Sequence, residues 1–331
     1  KYVDQAFGRR WLSVAVGWGV IATGVVSAAT LTRAFVRFSQ DLFDIPTTAG
    51  ICLAVSILTA IAIRGILESV VFATAITIIE VGGLICVLGV NAESLLEIPD
   101  RFTELVPGFN AGQWMGIATA SFFAFYAFIG FEDMVNQSEE VKNARRNVPR
   151  GILLALAITT VIYVLIAVVA VLTVSPTELA ESQTPLALLV SAQGPFARVL
   201  MVVVSMLAGV NGALVQIVMA SRVAYGMSNQ GLGPAMLATV HPNLRTPVTA
   251  TILMGAMILL LALWFPLETL AKSTSGIMLA NFALVNAALV RLKWKDEEVP
   301  PEVVQYPVAV PVMGCALCIS FLLIQLFAVP G

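Results

Sequence analysis

The feature that most narrows what this chain can fold into is a series of apolar runs of membrane-spanning length. The stretch from Val70 to Leu84 is typical, with Glu80 as its one charged side chain. A helix rises 1.5 Å per residue, so about 20 apolar residues cross a hydrocarbon core of about 30 Å. A water-soluble chain of this length would instead alternate apolar and polar positions at helical or strand period. The inventory agrees: 59% of residues are apolar and 11% charged, where soluble domains carry about 25% charge. The predicted fold class is therefore all-α, a polytopic membrane protein in a lipid bilayer. About nine spans are expected, at 11–36, 47–63, 66–91, 114–135, 151–173, 196–226, 247–265, 269–292 and 306–329.

Basic residues tend to stay on the cytoplasmic side of a membrane, which tests this count. With the first residue placed in the cytoplasm, the inside connections hold Lys1, Arg9, Arg10, Arg64, Lys142, Arg145, Arg146, Arg150, Arg245, Arg291, Lys293 and Lys295. The outside holds Arg33, Arg37, Arg101, Arg198 and Lys272, and its loop from Asn91 to Gln113 is acidic. A missed or invented span would scramble this asymmetry, so nine spans and an inside N-terminus are expected.

Several function classes drop out. A net charge of −2 offers nothing to nucleic acid. No G-x-x-x-x-G-K-[ST], H-E-x-x-H or G-x-S-x-G occurs, so the chain shows no ATP-driven or hydrolytic machinery and no catalytic residue is assigned. Cys315 and Cys318 form a C-x-x-C, but no further ligands stand near in sequence and the sole histidine, His241, falls in a loop. They read as small packing residues rather than a metal site, which needs three or four protein ligands. The sequon at Asn136-Gln137-Ser138 falls on the expected cytoplasmic side and reads as chance.

Glu80 is the most exposed anomaly. Twelve residues beyond Glu68, it stands about 18 Å up its helix, near mid-bilayer. A carboxylate there costs about 2.5–3.5 kcal/mol on insertion scales. It serves either as a proton-titrating or cation-coordinating group, or as a hydrogen-bonded staple between helices. The fourth span holds a second constellation: Ser121-Phe122-Phe123-Ala124-Phe125-Tyr126-Ala127-Phe128-Ile129-Gly130-Phe131-Glu132-Asp133. A helix broken near Gly130 would free backbone groups that are tolerated at membrane depth only in a cavity or within protein. A continuous helix with lipid-facing Phe and an interfacial Glu132 fits the same letters. Asn211 and Gln216 in the sixth span, and Ser27 on a small-residue face of the first, are further pocket-lining candidates. Helix packing is the more frequent role for residues of this kind at such positions.

Three stretches together resemble the amino acid–polyamine–organocation (APC) permease superfamily. They are Phe122–Phe125 with Ile129–Glu132 and Ser138–Ile152; Ser221–Met227 with Gln230–Pro234 and Thr246-Pro247; and Gly65-Ile66-Leu67-Glu68-Ser69. Their order and spacing cover nearly the whole chain. Ala144 departs from the pattern, standing where the family usually has proline.

The resemblance implies an inverted five-helix-repeat (LeuT-like) fold forming a single transmembrane domain over 1–331, aligned with helices three to eleven of a twelve-helix permease. The chain opens at Lys1 without methionine and stops after an apolar run, so both ends read as cut. By the same resemblance Tyr126 is an aromatic gate, Ala127, Phe128 and Ile129 offer carbonyls to a substrate amine, and Gly130 permits the break. Glu132 matches an acid tied to gating, and Glu80 lies where some relatives carry a lysine near the coupling-ion region. The implied function is secondary active transport of an amino acid across the plasma membrane by alternating access. No cofactor is expected; the coupling ion is a proton, with sodium the alternative. An exchanger or a non-transporting accessory remnant is the runner-up, and neither oligomeric state nor the amino acid is specified.

Overall fold

The computed structural model describes residues 2–65, 70–136, 141–294 and 306–327. Its regular structure is helical throughout. In chain order the α-helices are α1 (Tyr2–Phe7), α2 (Arg10–Ser39), α3 (Thr47–Arg64), α4 (Val70–Val90), α5 (Ile98–Leu105), α6 (Ala111–Tyr126) and α7 (Phe131–Asn136). They continue with α8 (Ala144–Thr173), α9 (Pro176–Glu181), α10 (Pro185–Leu189), α11 (Pro195–Asn229), α12 (Val248–Trp264), α13 (Leu267–Trp294) and α14 (Ala309–Phe327). The motif at Ile66–Ser69, and the stretch 137–140 that follows Asn136, lie outside the described residues.

Each expected span meets a helix. Among the described residues, seven segments are long and apolar enough to cross a membrane on their own, and an eighth is counted if α4 and the bent segment after it form one span. The span expected at 247–265 is α12, whose 17 residues reach about 26 Å, at the short end of what crosses a bilayer. Its inward face is nonetheless fully buried through Ala250, Met254, Ile258 and Ala262.

The centre of the bundle is the crossing of α2 and α11, flanked by α3, α12 and α13. Ile21, Val25, Ala28 and Ala29 of α2 meet Ala213, Leu214, Ile217, Ala220 and Ala224 of α11 in one buried cluster. Lipid tails are as apolar as these side chains, so close van der Waals contact has to hold such helices together. Gly24 shows how close: a methyl group there would stand 3.1 Å from Cβ of Ala220. At one end of the bundle, Arg198 of α11 pairs with Asp41 beyond α2 at 2.7 Å.

The acidic stretch 91–113, expected as a loop, is partly helical. The chain bends by 56° after α4, runs through a 3-10 turn at Ala92–Glu97 and enters α5, with proline in its first turn. Arg101 organises this outer segment, pairing with Glu97 at 3.3 Å and Glu104 at 2.7 Å and donating to the Leu172 carbonyl at 2.7 Å. The neighbouring guanidinium holds the Glu104 carboxyl below its usual range. That contribution is present above the unfolded carboxylate pKa and lost as pH falls through the lower folded one. Amide exchange of Ile98–Leu105, taken relative to the intrinsic rate at each pH, should therefore speed up about two- to five-fold on acidification below about pH 4. In Arg101→Ala it should be fast at every pH.

Ala144, the departure from the family pattern, is the first residue of α8, preceded by Asn143 in a left-handed conformation. Proline is favoured at that position because its missing N–H would be unsatisfied anyway. Alanine, the best helix former, fills it with little change.

Candidate functional site

The fourth span is broken. α6 ends at Tyr126, residues 127–130 form a turn, and α7 restarts at Phe131. Gly130 sits at φ +130°, a backbone that residues with a Cβ rarely adopt. Three i→i+3 bonds tighten the end of α6, from the N–H groups of Ala127, Phe128 and Ile129 to the carbonyls of Ala124, Phe125 and Tyr126. The Gly130 N–H is taken by the Glu132 carboxylate at 2.8 Å. Among the described residues, no hydrogen bond reaches the carbonyls of Phe128 and Ile129, while that of Ala127 accepts from the Tyr163 hydroxyl at 3.2 Å.

Aromatic rings brace the break on both sides. Phe128 meets Tyr163 edge-on at 5.3 Å, and Phe125 and Phe131 both pack on Phe282 of α13, at 6.2 and 5.5 Å. On α6, the Tyr126 hydroxyl lies 3.3 Å from the Ser27 hydroxyl and also approaches the Ser27 carbonyl. Ser27 is 3% exposed, so it anchors Tyr126 from within the helix interface rather than facing an open cavity.

Beside the break lies a narrow recess with room for about one water molecule. Val20, Thr23 and Gly24 of α2 form one wall, Glu132 and Asp133 of α7 another, and Gln216, Met219, Ala220 and Val223 of α11 a third, with Met278 of α13 closing it. Gln216 donates to Asp133 at 3.0 Å. The lining is acidic at α7, polar at Gln216 and apolar along the rest of α11.

Glu80 forms a separate pair. It is the eleventh of 21 residues in α4 and accepts from the Asn211 amide at 3.2 Å. The side-chain amide oxygen of Asn211 is buried and has no hydrogen-bond partner among the described residues. The structure thus gathers Glu132, Gln216 and the turn 127–130 at one place, while Ser27 is tied to Tyr126 and Asn211 to Glu80, both outside the lining of the recess. The sequence reading left out Thr23 and Tyr163, and named Asp133 only within the fourth-span constellation. Tyr163 had a signal, a lone hydroxyl within Val161-Ile162-Tyr163-Val164-Leu165.

The four cysteines are free thiols, and Cys315 contacts the Ala283 carbonyl across α13 and α14 at 3.6 Å. Among the described residues, no group of three or more His, Cys, Asp or Glu could hold a metal ion.

Comparison with known proteins adds a context for this geometry. The whole of residues 1–331 matches the family model described as amino acid permease. The chain is 29% identical over 328 residues to the methylthioribose transporter of Bacillus subtilis (strain 168), covering 96% of this chain and 68% of the relative. It is 28% identical over 298 residues to the branched-chain amino acid permease BcaP of the same organism, covering 87% and 62%. It is 25% identical over 321 residues to the human cationic amino acid transporter 4, covering 89% of this chain and about half (49%) of that relative.

Proposed function

We propose a function from the premise that the chain belongs to the amino acid permease family: it moves an amino acid across a membrane as a secondary active transporter. The chain is a multi-pass membrane protein of a transporter family, not an enzyme. The observation that carries the finer reading is the break at 127–130 beside the recess. Unbonded carbonyls at Phe128 and Ile129 are acceptors for an ammonium group, and the nearby acids Glu132 and Asp133 favour its charge. Backbone left open at membrane depth is the kind of polarity that lines a substrate path.

In this reading the 331 residues act as a single transmembrane domain in the plasma membrane, with the first residue in the cytoplasm, an orientation that the distribution of basic residues supports. Tyr126, anchored by Ser27, is an aromatic gate over the substrate site at the break, and transport proceeds by alternating access. Glu80 carries the coupling proton. A mid-span carboxylate is an expensive group, and its single amide partner serves either protonation state. Asn211 donates its N–H to the anion or, with the amide turned over, accepts the O–H of the acid.

Proteoliposomes loaded at neutral pH and diluted into acid buffer test this reading, with tritiated leucine, arginine and methylthioribose as probes. Concentrative uptake of at least one amino acid, collapsed by a protonophore, is the expected result. Uptake that needs internal substrate and ignores the gradient would assign an exchanger, and no uptake of any probe would overturn the transport reading.

A further inference from the structure

We propose that Lys272 binds the carboxylate of the substrate, one helical turn from the break at 127–130. This rests on the reading of that break as the ammonium site, and the test below separates the two.

Lys272 is the sixth residue of α13 and half-buried. Its ammonium stands over the Phe123 ring, 4.9 Å from the centroid. Phe123 lies four residues before Ala127, so the two share one face of α6, about 6 Å apart along the axis. The helices are held together around this contact. Phe122 lies against Gly276, where an added methyl group would stand 3.8 Å from its ring, and Phe125 packs edge-on against Phe282. The cation is thereby fixed on the α6 side of the turn, while the acids Glu132 and Asp133 occupy the α7 side.

The groups around Lys272 leave its charge unmatched. Among the described residues, neither a carboxylate nor a hydrogen-bond acceptor pairs with it. α6 carries no charged residue, and neither does α14, which packs on both α6 and α13. Glu268 lies one turn before Lys272 but pairs with Arg37 of α2 at 3.8 Å. Asp41, further out, pairs with Arg198, and Arg33 donates to the Phe265 carbonyl. A ring face attracts an ammonium without taking up its three N–H donors. An ionisable group within a membrane span is costly, and its usual reason is a ligand or a pathway.

The two ends of the turn therefore differ in sign. A free amino acid carries an ammonium and a carboxylate on neighbouring atoms. With the ammonium on the carbonyls of Phe128 and Ile129, the carboxylate is drawn toward α6. The flexible lysine stem lets its ammonium swing from the ring to that carboxylate, and a hydrogen bond between ionised partners is about twice as strong as a neutral one. The substrate class that fits both ends is the zwitterionic amino acid. A molecule with neither charge, such as methylthioribose, gains nothing from Lys272.

Binding of tritiated leucine and arginine to purified protein tests this. The competitors are isoamylamine and agmatine, which are the same two molecules without the carboxylate. The wild type should hold at least one amino acid about ten-fold more tightly than its amine. Lys272→Gln should weaken that amino acid about ten-fold and leave the amine unchanged, and Lys272→Arg should keep most of the affinity. Equal weakening of amino acid and amine in Lys272→Gln, or no weakening of the amino acid, would overturn the proposal. Amines that never compete, with an amino acid that binds and responds to Lys272→Gln, would overturn the ammonium site at the break and leave Lys272 standing. No binding of either amino acid would overturn both. Should Lys272→Gln fail to fold, Lys272→Met, whose stem can still lie on Phe123, takes its place with the same expectations. Equal affinity of the wild type for amino acid and amine overturns the proposal without any variant.

Discussion

Replacing Gly130 by alanine should weaken substrate binding at least ten-fold while the protein still inserts and keeps its helical content. The reason is the backbone. Gly130 holds φ +130°, and forcing a residue with a Cβ into such a region costs about 1–3 kcal/mol, so the turn 127–130 relaxes away from its present shape. The carbonyls of Phe128 and Ile129 and the Gly130 N–H held by Glu132 all move with it. A methyl group at Gly130 would meet nothing within 4 Å, so volume is not the obstacle. Gly130→Leu should therefore behave much like Gly130→Ala, although the letters alone would blame bulk. Radioligand binding to purified protein checks both variants. Normal affinity in the alanine variant would detach the break from the substrate site.

Glu80→Gln should flatten the dependence of uptake on external pH and leave expression unchanged. Glutamine preserves the shape of the side chain and its amide can still pair with Asn211, so only titration is removed. Glu80→Leu should behave differently. It leaves both polar ends of Asn211 unmatched inside the bundle, and an orphaned buried group costs about 1–3 kcal/mol, so the yield of folded protein should fall. Uptake assayed from pH 5 to 8 in proteoliposomes separates the outcomes. An unchanged profile in Glu80→Gln, with a poor yield of Glu80→Leu, would make Glu80 a structural staple.

Much of this architecture was legible in the letters because membrane insertion leaves a coarse mark. Long apolar runs marked every span, while the letters around Gly130 fitted a broken and a continuous helix alike. Glu80 stood out because nothing else charged lies near it on its helix. The partners were harder to read. Gln216 with Asp133, Ser27 with Tyr126, and Tyr163 with Ala127 join residues separated by 83, 99 and 36 positions. Which faces meet depends on how helices cross, and hydropathy along one chain does not encode it. The segment 92–105 read as loop because its charges hide a short amphipathic helix held by Arg101. Ser27 read as possible lining because small residues serve packing and pockets alike; its burial within the bundle, against the Tyr126 hydroxyl, decided its place.

Substrate protection of a single reporter cysteine tests most directly whether the break at 127–130 is the amino acid site. Ala127 suits this measurement, since its side chain is exposed and its contribution to the break is its backbone carbonyl. In protein whose four native cysteines are replaced by alanine, Ala127→Cys should react with a small polar maleimide. The transported amino acid should slow that reaction in proportion to its occupancy, and a cysteine at Leu154, on the exposed surface of α8, should show no such change. Labelling of Ala127→Cys that stays equally fast at saturating substrate would contradict the account.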